Sequence, residues 1–171
     1  PVYVVNLHGE IDRSMMVFIR RGLDRAREAG ARTVIFDIDT FGGRVDSALQ
    51  ITSIIGAARA ETTVAYVTSG PDVSGVSWSA GALIAFSCDR IYMAPGTSMG
   101  AAAPVFQTAE GMEMAPEKVV SPLRAQMAAL AEKNGYPKSV ALAMVDADVE
   151  LFEAHQGSRL NVVTADELAE L

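Results

Sequence analysis

The stretch Thr33-Val34-Ile35-Phe36-Asp37-Ile38-Asp39-Thr40-Phe41-Gly42-Gly43 decides the fold. Its first six residues form a nearly continuous apolar run, the pattern of a strand covered on both faces in a parallel sheet, and Gly42-Gly43 ends it. Upstream, Val2-Tyr3-Val4-Val5 is β-branched and aromatic and is closed by the turn-prone Asn6-Leu7-His8-Gly9, which predicts a first strand. Asp12 then stands as an N-cap, and Met16, Ile19, Leu23 and Ala26 recur at steps of three and four until Gly30 stops the pattern, as in an amphipathic helix. Downstream, Ile51, Ile54, Ile55 and Ala58 give a second helical stripe, and residues 62–67 a third strand. Two successive strand–helix–strand passages argue for right-handed parallel crossovers, so the fold class is α/β.

Beyond this frame, residues 68–77 have loop chemistry, the small-residue segment 79–87 suits a tightly packed helix, and 90–94 reads as a strand. Residues 95–116 carry Gly, Ala, Pro and Thr without a clear period and are expected to form a mobile lid or binding loop. Leu123, Met127 and Leu130 mark a helix that Gly135 and Pro137 end; 138–145 gives a second short helix and 149–154 a strand. No repeat or linker divides the chain, and a single domain over residues 1–171 is expected.

Composition removes several classes of function. Half of the 171 residues are hydrophobic and 20% are charged, which excludes a disordered chain. Fourteen Lys+Arg against 21 Asp+Glu leave a formal charge of −7, which repels phosphate backbones and argues against a nucleic-acid partner. One cysteine and two histidines cannot assemble a Cys/His zinc site, so no metal and no cofactor are expected. No apolar run reaches the ~18 residues that a membrane-spanning helix needs.

Two segments can carry chemistry. In Asp39-Thr40-Phe41-Gly42-Gly43 the paired glycines let backbone N–H groups face a ligand with no Cβ in the way, although an ordinary strand-to-helix turn reads the same. In Ser77-Trp78-Ser79-Ala80-Gly81, Ser79 falls at a helix start, a position that suits a nucleophile but where serine most commonly serves as a cap. The segment Gly75-Val76-Ser77-Trp78-Ser79 departs from the G-x-S-x-G elbow at its last position. A serine nucleophile needs a base. His8, after the first strand, and His155, in a late turn, lie in uninformative surroundings, and Lys133 and Lys138 lie at polar helix ends. Lys118 follows the expected lid, among Ala115, Pro116, Val119 and Val120, whose apolar surface could desolvate an amine toward the neutral form a base requires. Asp89 reads as a turn-fixing residue, Cys88 as packing, and the eight methionines as core filling or adaptable recognition surface.

Taken in order, Asp39-Thr40-Phe41-Gly42-Gly43-Arg44-Val45, Ser79-Ala80-Gly81-Ala82-Leu83-Ile84-Ala85 and Ile91-Tyr92-Met93-Ala94-Pro95-Gly96-Thr97-Ser98-Met99-Gly100-Ala101 closely resemble the serine-protease domain of NfeD proteins, membrane-bound ClpP-class proteases associated with stomatin. The resemblance spans residue 2 to about residue 170. It implies the ClpP/crotonase spiral of β-β-α units, with Ser79 as nucleophile and Lys118 as base. Gly43 and Ala80 N–H groups would form the oxyanion hole, with Gly42, Ser98 and Gly100 on the substrate track. It further implies a Ser-Lys endopeptidase that cleaves extended hydrophobic segments of a stomatin-like partner. The chain would then be a soluble fragment of a longer protein on the extracytoplasmic side of a membrane, assembled as a homodimer. Two other readings are a catalytically idle domain that holds an apolar peptide tail, and an acyl-CoA enzyme of the same spiral fold, which the acidic balance disfavours.

Overall fold

A computed structural model describes residues 1–170, which fall into two compact units, residues 1–102 and 103–170. The first contains β1 (Val2–His8), α1 (Arg13–Glu28), β2 (Thr33–Asp39), α2 (Val45–Gly56), β3 (Thr62–Val67), β4 (Val76–Trp78), α3 (Ala80–Phe86), β5 (Arg90–Met93) and β6 (Ser98–Gly100). A parallel sheet runs in the order β1-β2-β3-β5. Because every crossover advances in the same direction, right-handed connections place their helices on one face of the sheet. α1 packs on β1 and on α2, and α3 packs on α2 and β3.

This one-sided winding corrects the expectation that β2 is covered on both faces. Val34, Phe36 and Ile38 are buried, whereas Thr33, Ile35 and Asp37 on the alternate face are only half-buried. The buried row continues across the register through Val5, Phe36 and Ala65 and through Leu7, Ile38 and Val67. Each large side chain in these rows contributes on the order of 1.5–3 kcal/mol by leaving water. The first strand also runs past residue 5, because Asn6, Leu7 and His8 pair with Asp37, Ile38 and Asp39, and this pairing overrides their turn propensity. Helix α1 starts as expected: Asp12 accepts a 2.8 Å hydrogen bond from the Met15 N–H. Asp89 accepts from both Thr63 N–H and Thr63 Oγ1, tying the end of α3 to the start of β3. Cys88 is buried, and burial first, then Asp89, pushes its thiol well above the usual range, consistent with packing and not redox chemistry.

The second unit contains β7 (Val105–Thr108), β8 (Gly111–Met114), α4 (Glu117–Lys133), α5 (Lys138–Val145), β9 (Leu151–Gln156), β10 (Arg159–Thr164) and α6 (Ala165–Ala169). The segment expected to be a structureless lid therefore holds β6 and an antiparallel β7–β8 hairpin. Its alternation is hidden because Val105, Phe106, Met112 and Met114 are all exposed apolar residues, and its two-residue loop, Ala109-Glu110, lacks the usual Asn-Gly signal. His155 lies within β9, paired with Leu160, and not in a turn. α4 buries Val120, Leu123, Met127 and Ala131 and contains Pro122 in its second turn, so the Lys118 carbonyl receives no helical N–H from that position. Arg124 holds α4 to the end of α5 by an ion pair to Asp146 and pairs within α4 to Glu117. Thr164 and Glu167 form a capping box on α6.

Candidate active site

The chain leaves β2 through Thr40, whose fully buried hydroxyl donates to the Gly9 carbonyl at 2.5 Å and accepts from the Gly42 N–H at 3.0 Å. Its backbone pairs with β4 through Thr40 N–H to Val76 O and Trp78 N–H to Thr40 O. Asp39 reaches the same segment, accepting the N–H groups of Ser74 at 2.9 Å and Val76 at 3.3 Å. These contacts convert the end of the expected 68–77 loop into a short strand that enters α3 at a set height.

At that entry stands Ser79, half-buried, with φ 53° and ψ −119°. This backbone shape is favoured by glycine and costs other residues roughly 1–3 kcal/mol. It occupies the N-cap position of α3, but its side chain makes no capping hydrogen bond, so the simple cap reading does not hold. The backbone thus turns sharply at Ser79 although the G-x-S-x-G pattern is absent. Ser79 N–H donates to the Gly100 carbonyl at 2.8 Å. Among the described residues, Ser79 and Ala101 are the two non-glycine residues with positive φ, and they flank the two ends of that one hydrogen bond.

The glycines set how closely the backbone approaches this serine. A Cβ built at Gly42, where φ is +109°, would lie 2.6 Å from Ser79 Cβ and 3.1 Å from the Trp78 carbonyl. A side chain at Gly43 would run into the Ile11 backbone, with which Gly43 forms a parallel bridge. Gly42 O and Arg44 N–H bond to Ile11, so strand geometry turns the Gly43 N–H to the opposite edge. No acceptor among the described residues takes the N–H of Gly43 or of Ala80. A built Cβ at Gly81 would meet Thr40 Cγ2 at 2.6 Å and Ser77 Oγ at 2.9 Å, and the Ser77 hydroxyl is buried without a hydrogen-bond partner among the described residues. All seven residues of α3 are buried, which anchors the helix behind Ser79 in the core. Gly42→Ala is expected to lower the unfolding free energy by about 2–4 kcal/mol, combining a strained φ with overpacking. Urea denaturation checks this, and an unchanged midpoint would show that Gly42 is not needed for the close approach.

The first unit thus brings together Gly42, Ser79, Ala80 and Gly100, with Ser98 one contact away: its Oγ accepts from Trp78 Nε1 at 2.8 Å. Lys118 belongs to the second unit, where it is the second residue of α4 and exposed, not buried among the apolar neighbours that the sequence offers it. His8 is bound to Asp37 at 2.9 Å. Asp39, as a loop anchor, and Thr40 are the residues that sequence reading missed. No group of three or more His, Cys, Asp or Glu suited to a metal occurs among the described residues, and none of their helices is long and apolar enough to cross a membrane.

The chain is 38% identical over 152 residues to the membrane protein NfeD1b of Bacillus subtilis, covering 89% of this chain and 32% of that protein. It is 28% identical over 169 residues to the membrane-bound protease PH1510 of Pyrococcus horikoshii, covering 96% and 37%. The chain therefore spans about a third of the length of these curated relatives. Among solved structures, the 1510-N membrane-bound stomatin-specific protease, as a serine-to-alanine mutant, aligns with a TM-score of 0.78 at 26% identity, over 99% of this chain and 75% of that one. A lysine-to-alanine mutant of 1510-N in complex with a substrate peptide gives the same TM-score at 27% identity, over 99% and 71%. ClpP1 from Listeria monocytogenes shares the fold at a TM-score of 0.57 and 18% identity, over 98% and 85%. The fold is ClpP-like. A family model described as the NfeD1b N-terminal domain matches residues 1–171, and the chain belongs to that family.

Proposed function

We propose that this chain is the serine endopeptidase domain of a longer membrane-associated protein and that it works through a Ser79–Lys118 dyad. Ser79 Oγ attacks the scissile carbonyl while the neutral Lys118 amine takes the hydroxyl proton. The proton passes to the leaving amine, an acyl-enzyme forms on Ser79, and water then releases the acid product. The N–H groups of Gly43 and Ala80 hold the developing oxyanion, and Gly42, Ser98 and Gly100 border the track of the extended substrate. One observation carries the reading. Ser79 is held in a strained backbone shape at a helix start with its hydroxyl unused as a cap, beside two glycines that no side chain could replace without collision.

The likeness to 1510-N, which is stomatin-specific and was solved with a substrate peptide, supports a stomatin-like partner. We take the segment it presents to be extended and hydrophobic. The relatives' membrane-protein character supports action at a membrane. We assign the chain to the extracytoplasmic face, as a homodimer, with residues 1–171 acting as one protease domain. The test is covalent labelling by a fluorophosphonate, located by mass spectrometry. A single adduct on Ser79 is expected. Tight binding of an apolar peptide with no adduct would assign the chain instead as a module that holds peptide without cutting it.

A further inference from the structure

Two aromatic side chains stand immediately before the residues that shape this site: Phe41 precedes Gly42 and Trp78 precedes Ser79. Both remain in water, Phe41 at 66% and Trp78 at 37% relative exposure. Their rings meet edge to face, with centroids 5.5 Å apart and planes at 77°. Such pairing recovers only part of what burial would give a ring. Trp78 is additionally oriented by its Nε1–H, which donates to Ser98 Oγ at 2.8 Å. Its polar atom is thereby satisfied within the chain, and what it presents outward is apolar. Across the β4–β6 ladder Trp78 faces Gly100, so the neighbouring strand offers no side chain to cover the indole.

The Phe41–Trp78 pair is also tied to the serine by backbone. The Gly42 Cα lies so close to this segment that a built Cβ would touch Ser79 Cβ and the Trp78 carbonyl, and Trp78 N–H bonds to the Thr40 carbonyl next to Phe41. The two rings therefore sit on the residues next to Gly42 and Ser79, beside the place a scissile carbonyl at Ser79 Oγ would occupy. The Nε1–H bond to Ser98 and the edge-to-face contact with Phe41 hold the Trp78 ring in one orientation, so less rotamer entropy remains to be lost on binding.

We propose that Phe41 and Trp78 form a substrate subsite that selects an aromatic side chain flanking the scissile bond over a small aliphatic one. This rests on the endopeptidase reading and names the residues that set its specificity. A ring seated on this wall exchanges water for aromatic edges and faces, whereas a methyl group leaves most of the wall wet. Burial of a large apolar side chain corresponds to a preference of roughly tenfold to a hundredfold.

The experiment uses two peptides of extended apolar sequence that differ by Phe or Ala beside the cleaved bond. The parent chain should favour the Phe peptide in kcat/KM by about tenfold or more, Phe41→Ala should shrink that ratio to within about threefold, and Phe41→Leu should fall between them. An unchanged ratio in Phe41→Ala overturns the subsite. A second arm needs no turnover: Trp78 is the one tryptophan of the chain, so the emission of the Ser79→Ala variant reports directly on ligand at this wall. A saturable change with the Phe peptide, at least tenfold weaker with the Ala peptide, supports the subsite even if no cleavage is found, in which case the endopeptidase reading alone fails. Emission that responds to neither peptide, or equally to both, removes the subsite whatever the cleavage assay shows.

Discussion

Ser79→Ala is expected to lower kcat/KM for an apolar peptide by about a thousandfold or more, leaving only the contribution of binding and the oxyanion donors. Its stability should hardly change, because the hydroxyl makes no capping hydrogen bond that folding would lose. Ser79→Gly sharpens the point. It removes the nucleophile and also relieves the positive φ, so it should be as inactive as Ser79→Ala yet more resistant to urea, by roughly 1 kcal/mol or more. Opposite signs for activity and stability are what a strained nucleophile requires. If Ser79→Ala cleaved at the parental rate, the nucleophile would have to be another residue.

Lys118→Arg is expected to be as inactive as Ser79→Ala, since a guanidinium stays protonated at every usable pH and cannot accept the serine proton. For the parent chain the sign follows from the same requirement: only the neutral amine is a base, so the rate climbs as pH rises. Lys118 itself is exposed at the start of α4. Flat profiles or an active Lys118→Arg would remove lysine from the mechanism and leave His8, held by Asp37, or His155 of β9 as the available imidazoles.

The sheet was legible because its strongest signals are local: the apolar run of β2, the Asp12 cap and the Gly30 stop each act within a few residues of themselves. What stayed hidden depends on partners far along the chain. Asp39 reaches Ser74 and Val76, and Thr40 reaches Gly9, contacts that no periodicity encodes. The β7–β8 hairpin was missed for the opposite reason, since apolar residues on both of its faces erase the alternation by which a strand is recognised. At Ser79 the residue type allowed both a cap and a nucleophile. The backbone angle and the missing capping bond speak against the cap, and neither is visible in the residue type, because Gly42, Gly100 and α3 all pack around this turn.

Pro122 gives the turn that carries Lys118 a thermodynamics of its own. The first N–H groups of any helix lack partners within it, and a proline in the second turn withholds one further bond, the one that would have closed on the Lys118 carbonyl. Residues 117–121 are thus held by fewer helical hydrogen bonds than the stretch that follows, and bury Val120 alone where that stretch buries Leu123, Met127 and Ala131. The proposed base thus stands on a turn with few bonds inside the helix, and amide exchange at residues 117–121 is expected to be faster than over residues 123–131.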